Sequence, residues 1–247
     1  MWSSAPESLS LSSGEVHVWR ASMEQPVEVQ EGFLRTLDLE ERERASRFHF
    51  EKHRRRFIVG RGVLRLLLGR YLEIAPEEVR FAYGPYGKPT LGKEHSASRL
   101  RFNASHSHEL AVYGFVQERE IGVDVEYVKN DFQSEEIAVR FFSPQEVQTL
   151  TALPKGERHA AFFRCWTRKE AYIKAIGSGL SHPLDQFDVT LTADEPVALL
   201  RDAQDAEAVD RWEMFNLEFA ERYKGALIVE GRGHTLSAFE LPERMSR

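Results

Sequence analysis

The amino-acid sequence predicts an α+β fold, and the order of its elements is the main evidence. Each half of the chain contains one long helical segment, shorter helical material and a few short strands that alternate apolar with polar residues. Turns rich in glycine, proline and polar residues separate consecutive strands, which favours antiparallel pairing. The halves show no residue-level repeat, but their similar element order predicts two similar α/β lobes that meet near residues 118–121.

The first lobe is predicted over residues 15–119, after a serine-rich lead-in at residues 1–14 that we expect to be disordered. Its first strand covers Glu15 to Ala21. The stretch GFLRTLDLEERERASRF follows as helical material in which Asp38 can cap a charged segment. A long helix then begins near Lys52, basic at its start and largely apolar beyond. One strand precedes the YGPYGKP turn, and two more flank a polar loop in FNASHSHE.

The second lobe, residues 120–247, begins with the strand IGVDVEYV. Ser143 followed by a proline has the pattern of a helix N-cap. The next helix is predicted from Glu157 to Ile176, and Gly177 ends it. Four short strand candidates complete the lobe: FDVTL, RWEMFNLEF, GALIVEG and TLSAFEL.

Composition narrows the class of protein. The chain has 247 residues, of which 42% are hydrophobic and 29% charged, as in ordinary soluble globular proteins. A net charge of -6 argues against a nucleic-acid surface along the whole chain. The single cysteine, Cys165, excludes an intramolecular disulfide and a cysteine-based zinc site. No apolar run approaches the roughly 20 residues of a membrane span, and no signal-peptide pattern is present, so we expect a cytoplasmic protein.

Three carboxylates are candidates for a metal site. Asp124 and Glu126 are two residues apart on the predicted strand, so both side chains point to one face. Glu170 lies within the apolar sector of the later helix, where an unpaired carboxylate is costly. Carboxylates this close repel one another unless a cation lies between them, and oxygen-only ligands suit Mg²⁺. The alternative is an ordinary amphipathic strand with a hydrated acidic face.

Cationic residues offer contacts for phosphate. Lys174 follows Glu170 by one helical turn, and this spacing alone favours a surface ion pair over a phosphate contact. Arginine side chains match phosphate in a bidentate geometry. The remaining candidates lie near the start of the long basic helix and in the YGPYGKP turn: Arg44, Arg54, Arg55, Arg56 and Lys88. A solvated basic helix start is the alternative.

Several enzyme classes lack their motifs. Ser105, His106, Ser107 and His108 are clustered, but no further zinc ligand has a suitable spacing and no G-x-S-x-G elbow occurs. By statistics alone, each histidine is a loop residue with a local hydrogen bond. Phosphate-binding loops of the G-x-x-x-x-G-K-[ST] type and G-x-G-x-x-G fingerprints are also absent, which disfavours ATPases, kinases and Rossmann dehydrogenases.

The succession YGKP, FNASHS, IGVDVE, RFFSPQE and WTRKEAYIKAIGSGL resembles the Sfp-type 4′-phosphopantetheinyl transferases over about residues 16–188. The basic segment EKHRRRFIVGRGVLR is most similar to cyanobacterial members. The resemblance implies transfer of the phosphopantetheine arm of coenzyme A to a serine of an apo acyl or peptidyl carrier protein, with release of adenosine 3′,5′-bisphosphate. It also implies a monomer of two pseudo-symmetric α/β lobes with the active site in the cleft between them.

The resemblance also assigns roles to residues. It implies that Mg²⁺ is held by Asp124, Glu126 and Glu170. Lys174 would lie beside the transferred phosphate, and Glu170 is the candidate general base. Coenzyme A would be bound by Arg44, Arg56, Lys88, Ser105, His106 and Lys174, with His106 on the 3′-phosphate. One departure is Glu41, where a related enzyme has a lysine; Arg54 or Arg55 could compensate.

Two rival functions stay open at this point. One is a divalent-metal phosphohydrolase that uses the same carboxylates. The other is a non-catalytic module that presents the basic stretch from Arg44 to Arg65 to nucleic acid or a protein. For the transferase, we expect the carrier to dock on Phe132 to Leu150, where Arg140, Phe141 and Phe142 are expected to be exposed. Carriers of fatty-acid, polyketide or peptide synthesis all fit the resemblance.

Overall fold

A computed structural model describes residues 2–6, 8–129, 133–219 and 222–242. The elements of the first half are β1 (Ser3–Ser4), β2 (Glu15–Ser22), α1 (Val27–Thr36), α2 (Leu39–Ser46), α3 (Glu51–Leu72), β3 (Phe81–Tyr83), β4 (Pro89–Leu91), β5 (Leu100–Ser107) and β6 (Leu110–Gln117). Those of the second half are β7 (Ile121–Tyr127), α4 (Ser134–Phe141), α5 (Pro144–Ala152), α6 (Lys155–Ile176), β8 (Phe187–Val189), β9 (Leu199–Asp202), α7 (Ala208–Arg211), β10 (Trp212–Leu217), β11 (Tyr223–Glu230) and β12 (Thr235–Glu240).

Two main sheets organise the chain. The larger has five strands in the order β1-β12-β2-β6-β5, and the smaller has three in the order β10-β11-β7. Two short hairpins, β3-β4 and β8-β9, stand apart from them. Pairing is antiparallel except where β12 pairs in parallel with β1 and β2. These elements confirm the predicted α+β class.

The two sheets pack face to face, and each carries a long helix on its outer face. Valines such as Val18 and Val123 are fully buried between the sheets. On the outer face of the five-stranded sheet, α3 packs against Trp19 and Phe115. On the outer face of the smaller sheet, α6 contacts β7 and β11. The layers are therefore helix, sheet, sheet and helix.

The sequence correctly predicted the residues at which three of the helices begin or end. Asp38 and Ser143 cap α2 and α5, each in a capping box with the glutamate three residues later. Gly177 ends α6 with a left-handed φ of 68°. The helical stretch predicted around Asp38 is two helices, because Leu37 is extended and Asp38 starts a new helix. Helix α4 and strand β9 were not predicted.

The ends of the chain differ from the sequence prediction. Ser3–Ser4 pairs with β12, and the Trp2 indole donates to the carbonyl of Glu218 at 2.7 Å. At these residues the structure differs from the disorder predicted for the lead-in, because β12 offers an unpaired edge. Strand β12, assigned by sequence to the second lobe, pairs with β2 of the first. The lobe boundary at residues 119 and 120 stays a prediction. Among the helices of the described residues, none has the length and apolar character needed to cross a membrane.

Candidate active site

Strand β7 and helix α6 approach each other closely at Gly122. Val123 and Val125 point away from α6 and are fully buried between the sheets, so the alternate residues face α6. A Cβ atom at Gly122 would lie 2.0 Å from the carbonyl oxygen of Ala171. Glycine at this position therefore lets the middle of α6 lie directly on the strand that carries the acidic residues.

This approach brings Asp124 next to Lys174. Asp124 is 3% exposed, and its Oδ1 accepts hydrogen bonds from Lys174 Nζ at 2.6 Å and from Ser105 Oγ at 2.8 Å. Its other oxygen, Oδ2, is buried and has no hydrogen-bond partner within the described residues. A buried carboxylate oxygen without a donor is unfavourable, so Oδ2 is free to accept a cation or a donor from a ligand.

Asp124, Glu126 and Glu170 form a cluster that we call the carboxylate cluster. Burial and the charges of Asp124 and Glu126 together raise the pKa of Glu170 to about 7, against the opposing charge of Lys174. Burial and the charge of Asp124 also raise the pKa of Glu126. One ammonium group therefore does not compensate for three partly buried carboxylates. The charge and the oxygen ligands of the cluster fit a divalent cation.

The distances within the cluster are not those of a formed metal centre. Within the described ranges, no group of three or more His, Cys, Asp or Glu side chains is arranged to hold a metal ion. The ammonium group of Lys174 occupies Asp124 Oδ1 in this arrangement. The predicted ligand set Asp124, Glu126 and Glu170 thus agrees with the structure in charge and burial, and coordination by these three residues stays a prediction.

The FNASHS motif forms a strand instead of the predicted polar loop. Strand β5 continues to Ser107, and the turn to β6 is short, with His108 at a left-handed φ of 52°. Side chains of β5 accept hydrogen bonds from backbone N–H groups of β7: Asn103 from Val123 at 2.9 Å, Ser105 from Val125 at 3.4 Å and Ser107 from Tyr127 at 3.1 Å. We call Asn103, Ser105 and Ser107 the side-chain ladder. It joins edge strands of the two sheets, which explains why the polar residues favour a strand.

The side-chain ladder also orients the carboxylates. Ser105 donates to Asp124, and Ser107 donates to Glu126 Oε2 at 2.8 Å. The predicted contact of Ser105 with coenzyme A stays a prediction, because its hydroxyl is buried and also accepts from Lys174 at 2.9 Å. Ser107 received no role from the sequence; its spacing of two residues from Ser105 was the available signal.

A cationic cavity lies beside the carboxylate cluster. This arginine cavity, about 210 Å³ in volume, is lined by Arg44, Arg56 and Arg61 together with Ser105, His106 and apolar residues. Arg56 Nη2 and Arg61 Nη1 are buried and have no hydrogen-bond partner in the part of the chain that is described. The pKa of His106 is lowered by partial burial and by the charges of Lys174 and Arg56. These features suit an anionic ligand with several charges.

A second cavity adjoins the first. Its lining includes Lys88, Glu170 and Lys174, and it shares Pro89 and Ala104 with the arginine cavity. The structure therefore brings most of the predicted phosphate contacts and the carboxylate Glu170 to neighbouring cavities. Lys88 lies between the lobes: its ammonium donates to the Ala175 carbonyl and to Glu120 Oε2, both at 2.7 Å.

Glu41 has a structural role that its sequence position did not reveal. It is 5% exposed and accepts from Arg65 Nε at 2.7 Å, while its other oxygen lies 3.2 Å from Arg61 Nε. Arg65 is fully buried. The signal that could have revealed this pair is an arginine within the apolar part of α3, where a buried charge requires a nearby carboxylate.

The structure differs from two predictions that were made from the sequence. Arg54 and Arg55, proposed to compensate for Glu41, pair with Glu51 at 3.3 and 3.0 Å and do not line the arginine cavity. Phe142, expected to be exposed for carrier docking, is 3% exposed and stacks on Phe162. The prediction for Phe142 is wrong because the residue ends α4 and enters the core.

The rest of the expected docking segment is partly accessible. Phe141 is half-buried against Trp166, and Arg140 is exposed and stacks over the Phe141 ring. Val139 is 69% exposed. Phe132 lies outside the described residues.

Three arginines line one cavity, and Glu170, a carboxylate with a raised pKa, lines the next beside Lys174. A cavity with convergent polar groups and a perturbed pKa is typical of an active site. Comparison with known proteins specifies the class. Residues 14–115 match the family "4'-phosphopantetheinyl transferase, N-terminal", and residues 120–228 match the "4'-phosphopantetheinyl transferase superfamily".

Two individual relatives point to the same family. The 4'-phosphopantetheinyl transferase HetI of Nostoc sp. is 41% identical over 232 residues, which cover 94% of each chain. The 4'-phosphopantetheinyl transferase Sfp of Bacillus subtilis is 35% identical over 179 residues, which cover 72% of this chain and 77% of its own. The chain belongs to the 4′-phosphopantetheinyl transferase family, as its motifs predicted, and it is a transferase.

Proposed function

We propose that the chain transfers the 4′-phosphopantetheine arm of coenzyme A to a serine of an apo acyl or peptidyl carrier protein. The observation that carries this proposal is the adjacency of the arginine cavity and the carboxylate cluster. Coenzyme A has two separate phosphate groups, a 3′-phosphate and a pyrophosphate. One cavity is lined by three arginines and the other by Lys174 with Glu170, so each phosphate group has a place.

In the reaction, the serine oxygen forms a bond to the phosphorus that carries the pantetheine arm. The bond from this phosphorus to the pyrophosphate bridging oxygen breaks, and adenosine 3′,5′-bisphosphate leaves. A divalent cation, for which Mg²⁺ is the chemically suited choice, would be held by Asp124, Glu126 and Glu170 and would neutralise charge on the pyrophosphate. The Lys174 ammonium adds a fixed positive charge where negative charge develops.

A side chain of the enzyme must also accept the proton that the serine hydroxyl of the carrier loses. Glu170 is our candidate, because its carboxylate lines the same cavity as Lys174. Arg44, Arg56 and His106 are our candidates for the nucleotide phosphates. The Lys88 ammonium has three donors and uses two on Ala175 and Glu120, which leaves a third for a pyrophosphate oxygen.

For the carrier, we propose docking on the exposed face of α4. Val139 offers an exposed apolar contact and Arg140 an exposed charge. Carrier proteins are commonly acidic around the modified serine, so Arg140 supplies local complementarity on a chain whose net charge is -6. We expect Arg140→Glu to raise the carrier KM and to leave coenzyme A binding unchanged. A monomeric, cytoplasmic enzyme is part of the same proposal.

The binding-module alternative finds little support in the basic stretch itself. Arg65 is buried and paired with Glu41, and Arg61 is largely covered by protein. The stretch from Arg44 to Arg65 therefore does not present a continuous exposed surface to nucleic acid. The phosphohydrolase alternative uses the same carboxylates and differs in its nucleophile, so it is separated by the experiment below.

The test is incubation with coenzyme A, Mg²⁺ and a panel of apo carriers, followed by intact-mass measurement. We expect one phosphopantetheine addition per carrier domain, lost on chelation of the metal and lost in a carrier whose serine is replaced by alanine. Consumption of coenzyme A without any modified carrier would favour the phosphohydrolase. Duplex binding that weakens with salt, without transfer, would favour the binding module.

A further inference from the structure

Arg61 lines the arginine cavity, and one of its terminal nitrogens has no hydrogen-bond partner among the described residues. Its Nε lies 3.2 Å from Glu41, its Nη2 donates to the Tyr83 hydroxyl at 3.2 Å, and its guanidinium lies 4.6 Å from the centre of the Phe81 ring. These three contacts fix the plane of the guanidinium. Nη1 is buried and finds no hydrogen-bond partner among the described residues.

Arg56 lines the same cavity, and its buried Nη2 also has no hydrogen-bond partner among the described residues. A buried N–H group without an acceptor is unfavourable, and two in one cavity indicate that an acceptor belongs there. Arg44 also lines the cavity, with its guanidinium over the Phe57 ring at 5.2 Å. Guanidinium groups suit a phosphate monoester, whose anionic oxygens accept several hydrogen bonds.

Glu41 makes this arrangement possible. Its carboxylate is held by Arg65 at 2.7 Å, so it is a fixed group beside which the Nε of Arg61 lies at 3.2 Å. Because Glu41 is engaged with two arginines, it does not add an uncompensated negative charge to the cavity. The cation that the resemblance led us to expect at Glu41 is thus supplied from α3 by Arg61, whereas Arg54 and Arg55 bind Glu51.

The position of the reaction centre indicates which phosphate is bound. Lys174 and Glu170 line the second cavity, where the pyrophosphate must react. The arginine cavity lies beyond Pro89 and Ala104 and is left for the other phosphate of coenzyme A. We propose that Arg61, positioned by Glu41, is a further binding residue for the 3′-phosphate of coenzyme A. The proposal rests on the proposed function.

The test compares two ligands and two matched variants. Arg61→Met removes the charge and keeps most of the apolar stem, and Arg55→Met does the same at an exposed position near the start of the same helix. Calorimetry is carried out with coenzyme A and with 3′-dephospho-coenzyme A. We expect Arg61→Met to weaken coenzyme A roughly 10- to 100-fold and dephospho-coenzyme A less than about twofold. Arg55→Met should change neither by more than about twofold.

Equal losses for the two ligands, or no loss for either, would overturn the assignment. If Arg61→Met does not fold, Arg61→Lys is measured instead; it keeps the charge and loses the bidentate fork, and a wild-type preference for coenzyme A in this variant overturns the proposal. The two proposals fail separately. A wild-type protein that modifies no apo carrier refutes the transferase, while a normal transferase with an unaltered Arg61→Met variant refutes only the role of Arg61.

Discussion

The helices α3 and α6 are built alike and carry different chemistry. Each has 22 residues and follows a short helix that begins with a capping box. In each case the third-position glutamate of the box forms a buried ion pair at 2.7 Å with the fifteenth residue of the long helix: Glu41 with Arg65, and Glu146 with Lys169. The matching pairs support the pseudo-symmetry of the lobes more directly than the element order does.

The difference between the two helices lies in what each one approaches closely. In α3 the close contact is Gly62, where a Cβ atom would lie 2.3 Å from Phe33 of α1. In α6 the glycine is on the partner strand, at Gly122, so the helix backbone reaches β7. Helix α3 therefore makes its closest contact with another helix, and its arginines line a cavity. Helix α6 instead lies directly on a strand, which places Lys174 beside the carboxylate of Asp124. The buried ion pairs hold each long helix in position. The close contacts at the two glycines determine which functional groups each helix brings to the site.

Breaking either buried pair is expected to give the largest effect. Lys169→Met leaves the buried Glu146 without its cation, which costs about 3–5 kcal/mol of unfolding free energy. Arg65→Met leaves the buried Glu41 with Arg61 alone, so we expect its cost at the lower end of that range. Denaturant unfolding measures both. Adding Glu146→Gln to Lys169→Met should recover part of the loss, and a double variant no more stable than the single one would contradict the pairing argument.

Replacing Glu170 tests the chemistry of α6 without its packing. We expect Glu170→Gln to slow single-turnover transfer by roughly 100- to 1,000-fold, because the amide neither binds a cation well nor accepts a proton. Coenzyme A affinity should be retained through the arginine cavity. Glu157→Gln, at the exposed start of the same helix, serves as the control and should keep wild-type rates. Transfer by Glu170→Gln at more than about a tenth of the wild-type rate, under ~1.4 kcal/mol in barrier, would refute the mechanism.

The two glycines offer the sharpest test of the comparison. Gly122→Ala and Gly62→Ala both introduce a methyl group where there is no room, so we expect each to cost about 1–3 kcal/mol. Only Gly122→Ala pushes α6 away from the carboxylates, so it should also lower kcat. Thermal melting and transfer kinetics are measured on both. Equal losses of kcat would show that the close contact at Gly122 has no special part in the site.

The smallest expected effect concerns the side-chain ladder. Ser107→Ala removes the donor to Glu126 and the acceptor for the Tyr127 N–H, for a loss of about 1 kcal/mol in stability. Because Glu126 is then less well oriented, the Mn²⁺ concentration for half-saturation should rise, as measured by direct metal binding. Ser107→Thr keeps the hydroxyl and should restore both values. Unchanged metal binding in Ser107→Ala would mean that the orientation of Glu126 does not depend on the hydrogen bond from Ser107.

The sequence predicted features that depend on neighbours along the chain. The caps at Asp38 and Ser143 and the stop at Gly177 were correct because each is decided within one turn. The family and the fold class were readable from motifs and element order. Pairs such as Glu41 with Arg65 depend on contacts 24 residues apart, which periodicity does not encode.

The side-chain ladder was missed for a related reason. A polar run such as FNASHS is typical of a loop, and the sequence does not show the distant hydrogen-bond partners that favour a strand here. In the structure its side chains take the place that backbone groups occupy in an ordinary strand pair, and they do so with a strand of the other sheet. The pattern of polar residues every second position is compatible with this, but only the tertiary arrangement distinguishes it from a turn.

Strand β12 has a consequence for how the protein is made on the ribosome. Strand β2 pairs with β6 on one side and with β12 on the other, yet β12 is synthesised more than a hundred residues after both. Until residues 235–240 emerge, a nascent chain carries β2 with one open edge, which is free to pair wrongly with other chains. The lobe that is translated first therefore completes its sheet last, and a fragment confined to residues 15–119 would keep that edge open permanently.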